Sequence, residues 1–138
     1  MTQLANKLAN RQMVLALLYV FTVDDFRNAP VENVIDIPMP VDAVLLSGHV
    51  AVLDAIGTTG TDVLDVGDSA SANRYKNDIN LKSAALTALV PTGYRTTSST
   101  DAIRLTRVPA DEDAADGDGS IEVALVYAVN GKGGFTQD

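Results

Sequence analysis

The sequence predicts an all-β fold, an antiparallel jelly-roll-like β-sandwich with an extended N-terminal arm. Three observations predict it. Large apolar side chains recur with period two, most cleanly at Ile121, Val123, Leu125, Tyr127 and Val129, the spacing of a strand with one face in a core. Gly, Pro, Asn and Asp clusters cut the chain into about seven such segments, as in sandwiches and jelly rolls. Strands and helices do not alternate, which argues against a doubly wound parallel sheet.

The chain divides into an arm at residues 1–11, a sandwich domain at 12–130 and a flexible tail at 131–138. The arm, MTQLANKLANR, is small and polar with an imperfect near-repeat and no strong period. It reads either as a frayed terminus or as a segment that orders on a partner. From Gln12 the pattern changes. Met13, Leu15, Leu17, Tyr19, Phe21 and Val23 occupy alternate positions, so a strand is expected with that set facing the core. The opposite set, Val14, Ala16, Leu18, Val20 and Thr22, is also mostly apolar, so its face is expected to be covered as well, by a neighbouring subunit. A buried helix competes with this reading, and the Tyr-Val-Phe-Thr-Val ending favours the strand.

A turn is expected at 24–30 and a strand at 31–37, closed by Pro38 and Pro40. A third strand is expected at 43–55. There Val44, Leu46, Val50 and Val52 share one parity, and Ser47-Gly48 suggests a bulge. Gly57-Thr-Thr-Gly60 then turns the chain into a strand at 61–66, so that the two form a hairpin. Residues 67–80 form a polar connection. In 81–90 the spacing of Leu81, Ala85 and Leu89 is helical, and Pro91 ends the segment in either conformation. Short strands at 94–97 and 102–108, an acidic loop at 111–119 and a final strand at 121–129 complete the domain.

Composition narrows the function. Ten Lys and Arg against 18 Asp and Glu give a net charge of −8 at pH 7, which disfavours nucleic acid as a partner. The chain has no Cys and one His. Disulfides, thiolate catalysis and Cys- or His-pair metal sites are therefore excluded. An apolar content of 46% is too high for a disordered chain, and this length can bury roughly 70% of its unfolded surface. The longest mainly apolar run, 13–23, has 11 residues, short of the ~20 that cross a membrane. Lys7 and Arg11 precede it as in a signal peptide, but Asp24-Asp25-Phe26 follows with no small-x-small cleavage site. Export by the general secretory route and a membrane partner are not expected.

The chemistry-bearing residue types form no recognisable catalytic set. Asp116, Asp118, Gly119, Ser120 and Ile121 imitate the third and the fifth to eighth positions of an EF-hand loop. Ala114 and Leu125 stand where its first carboxylate and bidentate Glu belong. A solvated hairpin loop is the expectation, with Asp116, Asp118 and Ser120 as the sole candidates for a weak calcium site. His49 has no Gly-x-Ser-x-Gly elbow to serve and reads as structural or exposed. Neither Gly57–Gly60 nor Gly131–Gly134 completes a phosphate loop. A chain without Trp, with four Tyr and three Phe, lacks the aromatic floor of a glycosidase cleft. No enzyme activity and no cofactor are expected.

Two segments carry a resemblance. Asp65-Val-Gly-Asp-Ser-Ala-Ser-Ala-Asn-Arg-Tyr75, with Asn77-Asp78-Ile-Asn80, precedes Leu86-Thr-Ala-Leu-Val-Pro-Thr-Gly-Tyr94. The order, followed by the segments at 102–108 and 121–129, resembles the capsid decoration or cement proteins of tailed bacteriophages, over about residues 43–129. The acidic insert at 111–119 departs from that pattern. The resemblance implies a jelly-roll-like sandwich on the outer surface of a phage head, bridging major capsid proteins. It implies a virion protein made in the bacterial host cytoplasm, with the major capsid protein and itself, as a dimer or trimer, as partners. Candidate interface residues are Leu4, Lys7, Leu8 and Arg11 on the arm, Leu18 and Val20 on the two-sided strand, and Arg74 and Tyr75. For Asn73-Arg74-Tyr75, a turn with a packed tyrosine competes with an Arg74 that reaches acidic capsid surface. The alternative function is a phage tail or fibre receptor-binding β-domain, which would usually carry a repeat-rich shaft.

Overall fold

The structure, a computed structural model, describes residues 13–98, 100–111 and 118–129. The arm at 1–11 and the tail at 131–138 lie outside the described residues. Eight strands form two antiparallel four-stranded sheets. They are β1 (Met13–Thr22), β2 (Val34–Pro38), β3 (Ala43–Asp54), β4 (Asp62–Gly67), β5 (Lys76–Asn80), β6 (Leu86–Ala88), β7 (Ala102–Pro109) and β8 (Ser120–Val129). Sheet A runs β1-β8-β3-β6 and sheet B runs β2-β7-β4-β5. First pairs with last, second with seventh, third with sixth and fourth with fifth. That nested pairing, wound over two sheets, is the winding of a jelly roll, the architecture expected from the sequence, with eight strands where about seven were expected.

The core lies between the sheets. β8 is central to sheet A, and Ile121, Val123, Leu125, Tyr127 and Val129 are all buried, as their alternation predicts. Val50 and Val52 of β3, Leu64 and Val66 of β4, and Ile103 and Leu105 of β7 meet them. On β1, Leu15, Leu17 and Phe21 pack against this cluster. The register of β1 on β8, Leu17 opposite Leu125 and Phe21 opposite Ile121, turns Leu15, Leu17 and Phe21 of the predicted set inward, because cross-strand partners share a face, while Tyr19, expected in the core, is 37% exposed at this edge strand.

Several local expectations change. Residues 24–30 do not form a simple turn: α1 (Val23–Arg27) follows β1 directly. Thr22 caps it, with Thr22 Oγ1 accepting from the Asp25 N–H at 3.3 Å and Asp25 Oδ2 accepting from the Thr22 N–H at 2.8 Å. This reciprocal capping box nucleates one turn, and Val23 and Phe26 seal the sandwich end. The second strand begins at Val34 rather than at residue 31. In β3 the register shifts between Leu45 and Ser47. The extra residue inverts the pleat, so Ala43 and Leu45 are buried while Val44 and Leu46 are not. The single parity expected for Val44, Leu46, Val50 and Val52 fails for that reason.

The expected hairpin between 43–55 and 61–66 is replaced by a crossover, because β3 belongs to sheet A and β4 to sheet B. The polar connection at 67–80 ends in β5, which returns on β4. Within 81–90 a three-residue strand, β6, forms on β3, and the strand expected at 94–97 reduces to one bridge, Val44 to Arg95. Under sheet B, Arg107 and Asp62 form a fully buried ion pair, Nη2 to Oδ2 at 2.6 Å. Thr58 Oγ1 donates to the same carboxylate at 3.0 Å, and Arg107 Nη1 donates to Asn33 Oδ1 at 3.2 Å. Among the described residues no helix is long and apolar enough to cross a membrane.

Candidate docking surface

The outer faces of the two sheets differ in chemistry. Across sheet A the register aligns Val20, Glu122, Ala51 and Leu86 in one row, and Leu18, Ala124, His49 and Ala88 in the next. Ala16, Val126 and Ser47 follow, then Val14, Ala128 and Val44. The ionisable groups on these rows are His49 and Glu122, which face each other, Nε2 to Oε1 at 3.4 Å, and Arg95, which bridges to Val44 at the end of the last row. Val14, Leu18, Val20 and Leu86 are 55–67% exposed. The outer face of sheet B instead carries Asp36, Arg104, Thr106 and Asp65 on adjacent strands. There Arg104 Nε and Nη2 donate to the two Asp36 oxygens at 2.8 and 2.9 Å. The outer face of sheet B is the more charged of the two, although Val34, Val63 and Val108 share it, and that of sheet A is mainly apolar. A contiguous exposed apolar face marks an interaction surface.

A cleft of about 580 Å³ opens beside this face, where the end of β1 meets the segment before β2. Val20, Phe21, Pro30, Val31 and Ile35 line it, with Asp25, Asp36 and Arg104 at its polar margin. The Asp36 carboxyl is held below the ordinary carboxylate range, chiefly by the hydrogen bonds from Arg104. The Arg104–Asp36 pair therefore stays charged at neutral pH.

Of the residues singled out in the sequence, Leu18 and Val20 stand on the apolar face. Leu4, Lys7, Leu8 and Arg11 lie outside the described residues. Tyr75 is a core residue, 4% exposed, and offers no surface to a partner. Its hydroxyl is pushed up to about 12, first by burial. Arg74 is turned onto its own chain. It pairs with Asp68 and lies 3.9 Å from the Tyr94 ring centroid. The two segments that carry the resemblance thus meet in space, Asp68 and Arg74 from one and Tyr94 from the other. Asp68 Oδ1 also accepts from the N–H groups of Ala70 and Ser71 at 3.0 and 2.8 Å. These residues close the loop between β4 and β5, while Leu86 and Ala88 of the second segment lie on the apolar face through β6.

Asp118 is exposed and Ser120 opens β8, paired with Thr22 and Asp54; Asp116 lies outside the described residues. Among the described residues no group of three or more His, Asp or Glu gathers as metal ligands. The sequence also passed over Val126 and Leu86. No local signal could have found them, because their place beside Leu18 and Val20 is set by pairings between distant strands.

The fold is similar to chains of known structure, two of them from phage capsids. A chain in the capsid asymmetric unit of cyanophage Pam1 aligns with TM-score 0.57 and 23% identity, covering 88% of this chain and 86% of that one. A chain of the acid-stable capsid of the Helicobacter pylori bacteriophage KHP30 aligns with TM-score 0.61 and 16% identity, covering 85% and 88%. At these identities the likeness establishes a common fold. No protein-family model matches the sequence, and no curated protein is similar to it.

Proposed function

We propose that the chain is a structural virion protein that binds the outer surface of a phage head and stabilises it by bridging major capsid proteins. The single observation that carries the reading is the apolar outer face of sheet A on a chain of net charge −8. Such a molecule stays soluble through its charge and has a mainly apolar sheet face to bury on a shell. The likeness to chains found in two phage capsids supports the reading. The role needs no catalytic group and no cofactor. The arm at 1–11, with Lys7 and Arg11 and no acidic residue, is the segment we assign to ordering on the capsid beside that face. Synthesis in the host cytoplasm follows from the same reading.

The test is co-sedimentation of the purified chain with phage heads. Leu86→Asp places a charge at the β6 end of the face, on a side chain 67% exposed, so the fold is expected to stand within about 0.5 kcal/mol. The unaltered chain is expected to pellet with heads and to raise their melting temperature, and the variant to lose both effects. Equal pelleting of the two would overturn the assignment of this face.

A further inference from the structure

The four edges of the sandwich are not treated alike. A bare strand edge invites pairing with another chain, and proteins blunt it with shortness, charge or proline. Three of the edges here carry such a device. β6 has only three residues and is followed by Pro91. β2 has five, exposes Asp36 and ends at Pro38. β5 has five and carries Lys76 and Asp78. The fourth edge, β1, has ten residues, Met-Val-Leu-Ala-Leu-Leu-Tyr-Val-Phe-Thr, with no charge, no Pro and no Gly. Its pairing with β8 runs through all ten residues without a bulge, so nothing bends the edge away from a neighbour. Among the described residues the longest edge is the unprotected one.

We propose that this edge pairs with β1 of a second copy, antiparallel about a two-fold axis, to join two four-stranded sheets into one of eight. The charges flanking the strand select this occupant. Arg11 stands two residues before β1, and Asp24 and Asp25 stand just after it. Antiparallel pairing sets the basic end of each copy beside the acidic end of the other, twice over, whereas parallel pairing would set like charges together. The strand itself brings no charge between two bodies of the same sign. An isologous contact of this kind is self-complementary and closes at two. The pleat restricts the register. Outer face continues into outer face only if paired positions share parity, which centres the pairing on Leu17 or Leu18. Leu18 then faces its own counterpart, or faces Ala16, and the apolar face doubles in width. The inference does not depend on capsid binding, since it concerns the purified chain alone.

The experiment is light scattering on the full chain with two kinds of variant. The unaltered chain is expected at twice its 14.5 kDa mass. Leu18→Lys sets like charges across the axis at an exposed position, so the mass is expected to fall to that of one chain with an unchanged melting temperature. Because the chain has no Cys, introduced cysteines report the register. Leu18→Cys is expected to form an interchain disulfide alone, or when mixed with Ala16→Cys. A single-chain mass for the unaltered protein, a trimer, or a dimer that ignores Leu18→Lys and forms no such disulfide would overturn the proposal. So would an intrachain disulfide in a Leu4→Cys, Leu18→Cys variant, which would place residues 1–11 along the edge instead.

Discussion

Arg107 and Asp62 face each other with no exposed side-chain surface, so neither charge has water to fall back on. A buried pair of this kind adds little net stability compared with a well-packed apolar pair, but losing one partner strands the other. Arg107→Leu is expected to cost about 3–5 kcal/mol, read as a fall in the urea midpoint, and combining it with Asp62→Leu should recover most of the loss. Asp68 gives a pH dependence. Burial pushes its carboxyl up, but Arg74 and the N–H groups of Ser71 and Ala70 outweigh burial, and the net shift is below the ordinary 3.8. A carboxyl lowered in the folded state stabilises fully above its unfolded value and loses that contribution as pH falls through its folded value. Thermal melts should therefore show Asp68→Asn less stable than the unaltered chain at neutral pH, with the gap closing below pH 3.8. A gap that persists or widens in acid would contradict this role.

The loop between β4 and β5 turns on Gly67. A Cβ there would sit 2.0 Å from the Ser71 carbonyl oxygen and 2.5 Å from the Ala72 carbonyl carbon. Gly67→Ala must displace this backbone and is expected to cost about 1–3 kcal/mol, again as a lowered urea midpoint with sheet A intact. At this scale the sequence is legible where one rule acts alone. The alternation of β8 and of β1 predicted both strands and their inward faces, because each runs straight through its sheet, although on β1 Leu15, Leu17 and Phe21 are only half-buried and Tyr19 is exposed. It misled at β3, where one inserted residue at the bulge exchanged the two faces. It also misled at 55–61, where Gly57-Thr-Thr-Gly60 reads as a hairpin turn. The chain instead crosses between sheets, anchored by the Ile56 N–H on the Leu81 carbonyl at 3.0 Å. The motif Val66-Gly67-Asp68 with Asn73-Arg74-Tyr75 was visible, but its purpose was not. Its residues serve loop closure, which needs the folded partner Tyr94 to be seen.

At the scale of the whole molecule, the eight strands among the described residues wind as nested antiparallel pairs, which leaves one mainly polar face, one mainly apolar face and, at β1, one edge without charge or proline. The apolar face was half legible. Leu18 and Val20 could be singled out because both parities of β1 are apolar, a pattern a one-sided strand does not show. Val126 and Leu86 complete the face only through long-range register, which no window of sequence contains. An acidic chain with such a face and such an edge has surface for two partners, and we assign the face to the capsid and the edge to a second copy. The most direct test is cryo-electron microscopy of phage heads decorated with the purified chain. The account predicts density at regular positions on the outer shell, with sheet A towards the capsid and each unit bridging neighbouring capsid subunits. Density confined to the tail or a fibre, or heads left bare at saturating protein, would contradict it.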